Sequence, residues 1–530
     1  MTHTANVRLR DSKVAQYIVE FGNQSLRKIG KIIGCSKDRV ARSLDAIDER
    51  NQRPESHLWE TKEGMDWLHR LYCAIIYEFG IKGNQGADRL SEFFKRVHLN
   101  KHIGVSPSSL RDQMKKLEEH LACFQDNNEK LEMHNNTTKR EIIAAGDETF
   151  FGEKVMLVLM DLQSGYLIME DEADNRSYET WKDKSKERLA QLGLNVRHFI
   201  SDRGKSLIKL ATNFLKCNPG ADLFHAQFDI SKWLGRKLNG KLGRAHKNLK
   251  DAEKKNILQI QEVKQYLQRL NFIKKSRDAY KEAQLSISAT MHAFSMQENH
   301  PQTSSSIETH LAEVVDCFEI IAEQQSIKDP KDVTGKFRRQ IKDISSIVDT
   351  WWLWTRESLF EYELNDETKD WLLYTQLPTI YWYTQRQKTQ NTEMRKVYDM
   401  AWKKAQNTYT NHPLTAMMSK TDSEQWLSWG EWACSNFHRT SSAVEGRNGY
   451  LAQSYHNCRG MTISRRKSLT AIHNYDTKRR DGTTPAQRLY GKQFEDMFEW
   501  LIGKAGALPL PRKERKRVVK NPLELVPVSA

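Results

Sequence analysis

Apolar residues change their spacing along this chain, and each change marks an expected element. In "SLRKIGKIIGCSKDRVARSLDAI", Leu26, Ile29 and Ile33 recur at helical spacing and set one face inward. Gly34-Cys35-Ser36 interrupts the pattern as a turn, and Ser36 is placed to cap a second helix that turns Val40 and Leu44 to the same interior. Lys37, Arg39 and Arg42 then face outward, as on a helix laid in a DNA major groove; an ordinary helical hairpin with a solvated basic face fits the same spacing.

A second helical segment echoes the first in "ADRLSEFFKRVHLNKHIGVSPSSLRDQMKKLEEHL". Gly104-Val105-Ser106 is its turn, Pro107 suits the first position of a helix, and Arg111, Lys115 and Lys116 point outward. It reads either as a further DNA-contacting module or as packing between domains. The polar stretch 125–141 reads as a linker.

Beyond it the texture becomes that of strands. "EIIAAGD" is a short run ending at Asp147, and "KVMLVLMD" and "YLIMEDE" form a hairpin around Gln163-Ser164-Gly165. "SYETWKDKSKERLAQLGL" has helical periodicity with a stop at Gly193, and "VRHFISDRGKSL" returns to a strand ending at Ser201-Asp202. From about residue 230 the pattern is helical for a long stretch, with heptad-like runs such as "FRRQIKDISSIVDTWWLW". Trp351, Trp352, Trp354, Trp371 and Trp382 gather there, as in a helix–helix core; a surface that stacks bases is the alternative.

The expected organisation is therefore a helix-turn-helix region over 1–60 and a second helical region over 61–135. The first part of an α/β core follows over 141–232, an all-helical insertion over 233–435, the rest of the core over 436–500, and a basic tail over 501–530.

Charge narrows the class of partner. Lys and Arg number 83 against 68 Asp and Glu, a formal excess of +15, which points to polyanions, nucleic acid first. The start of the chain has no apolar core of a secretory signal, and the apolar run Val155–Met160 is far too short to span a bilayer. Seven scattered cysteines without a Cys-x-x-Cys pair argue against a disulfide framework or structural zinc, and for a reduced, cytosolic protein.

In such a chain, carboxylates at the mouths of buried strands need a reason. Enzymes that break phosphodiesters often hold two divalent cations about 4 Å apart, and these hard ions take oxygen ligands. Asp147 and Asp202, each at the end of an expected strand, suit that task, although an Asp before a Gly-containing loop is often only a turn former, as Asp161 is placed to be. Glu445 is the candidate third ligand, on a helix capped by Ser441 or Ser442, with Arg447 placed to meet a phosphate and Asn448 beside it. Glu424 and Glu431, in a Trp-rich amphipathic stretch, read as solvated face. Arg465, Arg466 and Lys467 form a further basic cluster, and the tail "PRKERKRVVKNP" is suited to phosphates without sequence preference.

"GDETFF", "ISDRG" and "SSAVEGRN" in this order resemble the DDE transposases of bacterial insertion sequences. The long stretch between Asp202 and Glu445 is similar to the all-helical insertion that several such families carry before their glutamate. Asp222-x-x-His225 resembles a Cys/Asp-x-x-His element found after their second aspartate, and "FDISKWL" is similar to a Lys-bearing stretch of related transposases. The resemblance covers roughly 141–240 and 436–480, plus the helix-turn-helix in kind. It implies an RNase H-like catalytic core, a mixed sheet flanked by helices. Asp147, Asp202 and Glu445 would hold two Mg²⁺, with Mn²⁺ as a substitute. His225 would contact a phosphate or flank the metals, a satisfied core histidine being the alternative.

The implied activity is cleavage at the ends of a mobile element and joining of the 3′ ends to target DNA. Terminal inverted repeats and target duplex are the implied partners, the implied working form is a homodimer on DNA, and the implied place is the bacterial nucleoid. A DNA-binding regulator, such as a decayed transposase, and an RNase H-like nuclease without strand transfer are the other readings. "GRKLNGKL" falls short of a phosphate-binding loop, because Leu242 stands where a hydroxyl must meet the metal.

Overall fold

The computed structural model describes residues 3–135, 139–254, 260–458 and 460–511. They form two compact units: residues 1–128, 453–484 and 493–530 make one, and residues 129–452 with 485–492 make the other. The helices Pro107–Asn135 and Ser442–Cys458 carry the chain between them.

In the first unit, helices His3–Phe21, Leu26–Ile33 and Lys37–Arg50 close over Val14, Ile29 and Val40, all fully buried. Gly34 ends the middle helix at φ 76°, in the left-handed region where a Cβ is strained, and Ser36 accepts the Arg39 N–H as the cap of the next helix. Leu26, expected to face inward with Ile29 and Ile33, stays at the surface. Beneath the third helix a buried Asp11 accepts from Ser43 at 2.6 Å and pairs with Arg50 at 3.0 Å.

Among the described residues, the polar segment 125–141 is helix and strand rather than an irregular linker; residues 136–138 lie outside them. Residues up to Asn135 continue the helix that starts at Pro107, and Arg140 already begins a strand. Acidic side chains anchor the end of that helix where apolar ones are missing. Glu129 accepts from Tyr166 at 2.7 Å and from both terminal nitrogens of Arg188 at 2.9 Å, and Glu132 is buried beside Arg140 and Lys492.

The second unit holds a five-stranded mixed sheet flanked by helices, with strand order β3-β2-β1-β4-β5. β1 (Arg140–Phe151), β2 (Lys154–Asp161) and β3 (Leu167–Ala173) run antiparallel to one another, while β4 (Leu194–Ser201) and β5 (Asn218–Ala221) run parallel to β1. The expected hairpin is present: Asp161 takes the N–H groups of Gln163 and Ser164 and so shapes the turn. The helix Tyr178–Leu192 returns the chain, ends at Gly193 and leads directly into β4.

β1 is longer than its sequence suggests. Its parallel pairing with β4 stops at Ala145–Ile200, but its antiparallel pairing with β2 continues to Phe151. Asp147 therefore lies within a strand rather than at its end. β5, "NPGA", carries Pro and Gly and escapes sequence patterning, as a short edge strand does.

Helices fill the chain from Leu223 to Ser435 apart from short connections, among the described residues. Trp351, Trp352, Trp354, Trp371 and Trp382 are all buried, with Trp351 donating to the Ala433 carbonyl at 2.7 Å and Trp382 to Asn299 at 2.7 Å. They are core, not a stacking surface. No helix of the described residues is long and apolar enough to cross a membrane.

Candidate active site

Residue alternation along β1 sorts the acidic pair Asp147-Glu148 onto opposite faces of the sheet. Glu148 accepts from the Trp181 indole at 3.0 Å and from Arg176 at 2.9 Å. Asp147 takes the other face, alone on the side where β4 has ended. The register Ala145–Ile200, continued by two residues, sets Asp147 level with Asp202. Gly146 makes room for this arrangement, since a Cβ there would stand 2.6 Å from the Phe199 ring.

Asp202 follows the last residue of β4 in a tight loop. Its Oδ1 accepts the Gly204 N–H at 2.9 Å, and Arg203, at φ 67°, reaches away to Asp343 at 2.8 Å. The Asp202 side chain is exposed.

The helix Ser442–Cys458 brings the third acid. Asp147, Val158 and Glu170 lie in one row across β1, β2 and β3, and so share a face of the sheet. The helix grips both ends of that row with consecutive residues. Arg447 binds Glu170 through two nitrogens, Nη2 to Oε2 at 2.8 Å, and Asn448 donates to Asp147 at 2.7 Å. Glu445, about one turn earlier, is thereby held beside Asp147.

The acids sense one another. Burial, chiefly, lifts the Asp147 carboxyl above its ordinary range, the charge of Asp202 adds to the lift, and the Asn448 bond and nearby His225 oppose it. Glu445 is also raised, by burial first, with His225 opposing and Asp222 and Asp147 adding to the rise. Of the three acids singled out from the sequence, Asp147 thus lies within electrostatic reach of each of the other two.

The tightest cluster of ligand-type atoms among the described residues is a different set. Asp222, His225 and Glu445 offer one atom each within 4.8 Å of one another. His225 Nε2 is 3.0 Å from Glu445 Oε1, an ion-pair contact that leaves that buried oxygen without an aligned hydrogen bond. Asp222 is occupied: Oδ1 accepts the Phe224 N–H at 2.7 Å, and Oδ2 accepts both the N–H (3.1 Å) and the hydroxyl of Ser441. Asp222 is better described as the tie between the end of β5 and the start of the Glu445 helix than as a free ligand. Ser441, expected as a cap, gives its hydroxyl to Asp222, and its carbonyl accepts the Val444 and Glu445 N–H groups.

Residues 372–517 match a family of unknown function, DUF6399. No curated protein matches the chain. The matched stretch contains Glu445, Arg447 and Asn448 but neither Asp147 nor Asp202.

Several residues expected to meet DNA have other work. Arg447 is buried and fully engaged by Glu170, so it is not available to a phosphate. Asn448 is buried against Asp147. In the other unit, Arg465 pairs with Glu118 at 2.6 Å and donates to the carbonyls of Gly80 and Ile81, while Arg466 is buried. Burial of a guanidinium is tolerated only with such partners, which the sequence cluster did not reveal. Lys467 is exposed, as are Ser36, Lys37, Arg39 and Arg42. Arg111 is exposed and pairs with Asp88 at 3.0 Å. The tail beyond residue 511 lies outside the described residues.

Glu170 was missed as a site residue, although an acid inside the apolar run "YLIME" signals a buried partner.

Proposed function

We propose that this protein is a DDE-type DNA transposase that cleaves the ends of a mobile element and joins them to target DNA. The observation that carries the reading is the placement of Asp147 on β1 within electrostatic reach of both Asp202, directly after β4, and Glu445, on the helix over that face of the sheet. A strand order of β3-β2-β1-β4-β5, with an antiparallel meander followed by two strands parallel to β1, supports an RNase H-like core.

The donor set suits Mg²⁺ or Mn²⁺. It is made of carboxylate oxygens, and the raised pKa of Asp147 and of Glu445 reflects burial and crowding of negative charge that a dication relieves. Asp147, Asp202 and Glu445 would hold the ions; when bound, these activate the attacking oxygen and stabilise the departing one. Asn448 orients the Asp147 carboxylate. His225, with Nε2 3.0 Å from Glu445 Oε1, is placed as an ion-pair partner of Glu445. The exposed Lys37, Arg39 and Arg42, on a helix capped by Ser36, support duplex reading by the first helices.

The test uses the full chain and duplexes taken from the flanks of its own reading frame. Mg²⁺-dependent nicking, lost in Asp147→Asn and Glu445→Gln while duplex binding persists, is expected. Joining of a free 3′ end to a second duplex distinguishes a transposase from a nuclease. Nicking that survives Asp147→Asn overturns the assignment of the site.

A further inference from the structure

The chain that delivers Glu445 is anchored well outside the sheet. Arg439, two residues before Ser441, sends Nη1 to within 3.1 Å of the Ser288 carbonyl, 3.0 Å of the Met291 carbonyl and 3.2 Å of His292 Nε2. These groups close the carboxyl end of the helix Ile260–Thr290, where carbonyls lack intrahelical donors and a cation is favoured.

The receiving end is rigid. His292 is fully buried, with Nδ1 2.7 Å from the Tyr381 oxygen and Nε2 3.1 Å from that of Tyr398. Burial and the neighbouring Arg439 charge keep the His292 ring neutral, and the Tyr381 oxygen that faces its Nδ1 also accepts the Ala293 N–H at 3.3 Å. Gln302 ties the turn by donating to the carbonyls of Thr290, His292 and Phe294 at 3.2, 3.0 and 3.1 Å.

The delivering end is tied as well. The Arg439 carbonyl accepts the N–H of Leu223, first residue of the helix that carries His225, at 3.4 Å. Ser441 is held by Asp222, and the Ser441 carbonyl receives the Glu445 N–H at 3.2 Å.

We infer that Arg439 is a positioning residue: through its clamp on Ser288, Met291 and His292, the helical region that precedes Glu445 in the chain sets where Glu445 stands. This region then acts as the abutment of the third acid rather than only as a separate module. The effect on reaction rests on the function proposed above; the clamp itself does not.

The experiment compares wild type, Arg439→Gln and Arg439→Lys as full chains. R439Q is expected to need about tenfold more Mn²⁺ for half-maximal nicking and to lose on the order of 10²-fold in kcat, with duplex affinity unchanged. R439K, which keeps donors for the two carbonyls, recovers most of that loss. Independently of any reaction, amide hydrogen exchange across residues 441–448 rises in R439Q. A folded R439Q with unchanged exchange and an unchanged Mn²⁺ midpoint overturns the inference. If wild type does not nick DNA, the proposed function fails while the exchange measurement still decides the clamp. Should R439Q not fold, Tyr381→Phe, which removes only the oxygen that orients His292, carries the same comparison.

Discussion

The Asn448 amide donates to the Asp147 carboxylate across 2.7 Å, from the turn of helix that follows Glu445. One side chain thus links the strand acid to the helix acid, and its hydrogen bond stabilises the charged form of Asp147. Asn448→Ala removes that bond, so the Asp147 pKa rises further. Metal-dependent nicking is expected to fall by about 10–100-fold, and its pH profile to move to higher pH, with duplex binding unchanged. Rate measurements between pH 5 and 8 check both.

Metal-free stability should reveal the strain of the acidic site. A carboxyl raised in the folded state contributes stability below the ordinary carboxylate range and loses it as pH rises through the folded value. At pH 7 the charge on Asp147 is therefore a liability when no cation is present. Asp147→Asn should melt about 1–3 °C higher than wild type in chelator at pH 7, and show no gain at pH 3. Added Mg²⁺ should stabilise wild type and leave the variant unchanged, as read by thermal denaturation.

Arg447 and Glu170 make a buried ion pair, each 6% exposed. Breaking it from one side, by Arg447→Met or Glu170→Gln, should cost about 3–5 kcal/mol in denaturant unfolding, and replacing both by Met should restore most of that. If Arg447 served a phosphate instead, R447M would weaken duplex binding and E170Q would leave stability untouched.

His198, fully buried on β4, has its pKa lowered to about 4 by burial. A base depressed in the folded state adds stability above its ordinary value and loses it as pH falls through the window from 6.5 to 4. His198→Leu should remove about 3 kcal/mol of that acid sensitivity, measured as the difference in unfolding free energy between pH 7 and pH 4.

What was legible in the sequence was whatever depends on neighbours in the chain. The Gly34 turn and the Ser36 cap are local, and so are the hairpin around Gln163-Ser164-Gly165 and the Gly193 stop. The helix running on to Asn135 was hidden, because Glu129 and Glu132 are buried by ion pairs that hydrophobic spacing does not record. The cluster Arg465-Arg466-Lys467 misled for the same reason, since Arg465 faces Glu118, distant in sequence, and Arg466 is buried.

By itself the sequence determined the local turns and caps, the periodicity of the helices and the basic balance of the chain, because those follow from short-range spacing and composition. Only the tertiary structure decided that Asp147 lies past the end of β4 and level with Asp202, that Asn448 and Arg447 grip the sheet rather than DNA, and that Arg439 clamps the approach to Glu445. Those are relations between residues far apart along the chain. Their energy comes from burying charge against a partner, and no local pattern encodes where that partner will be.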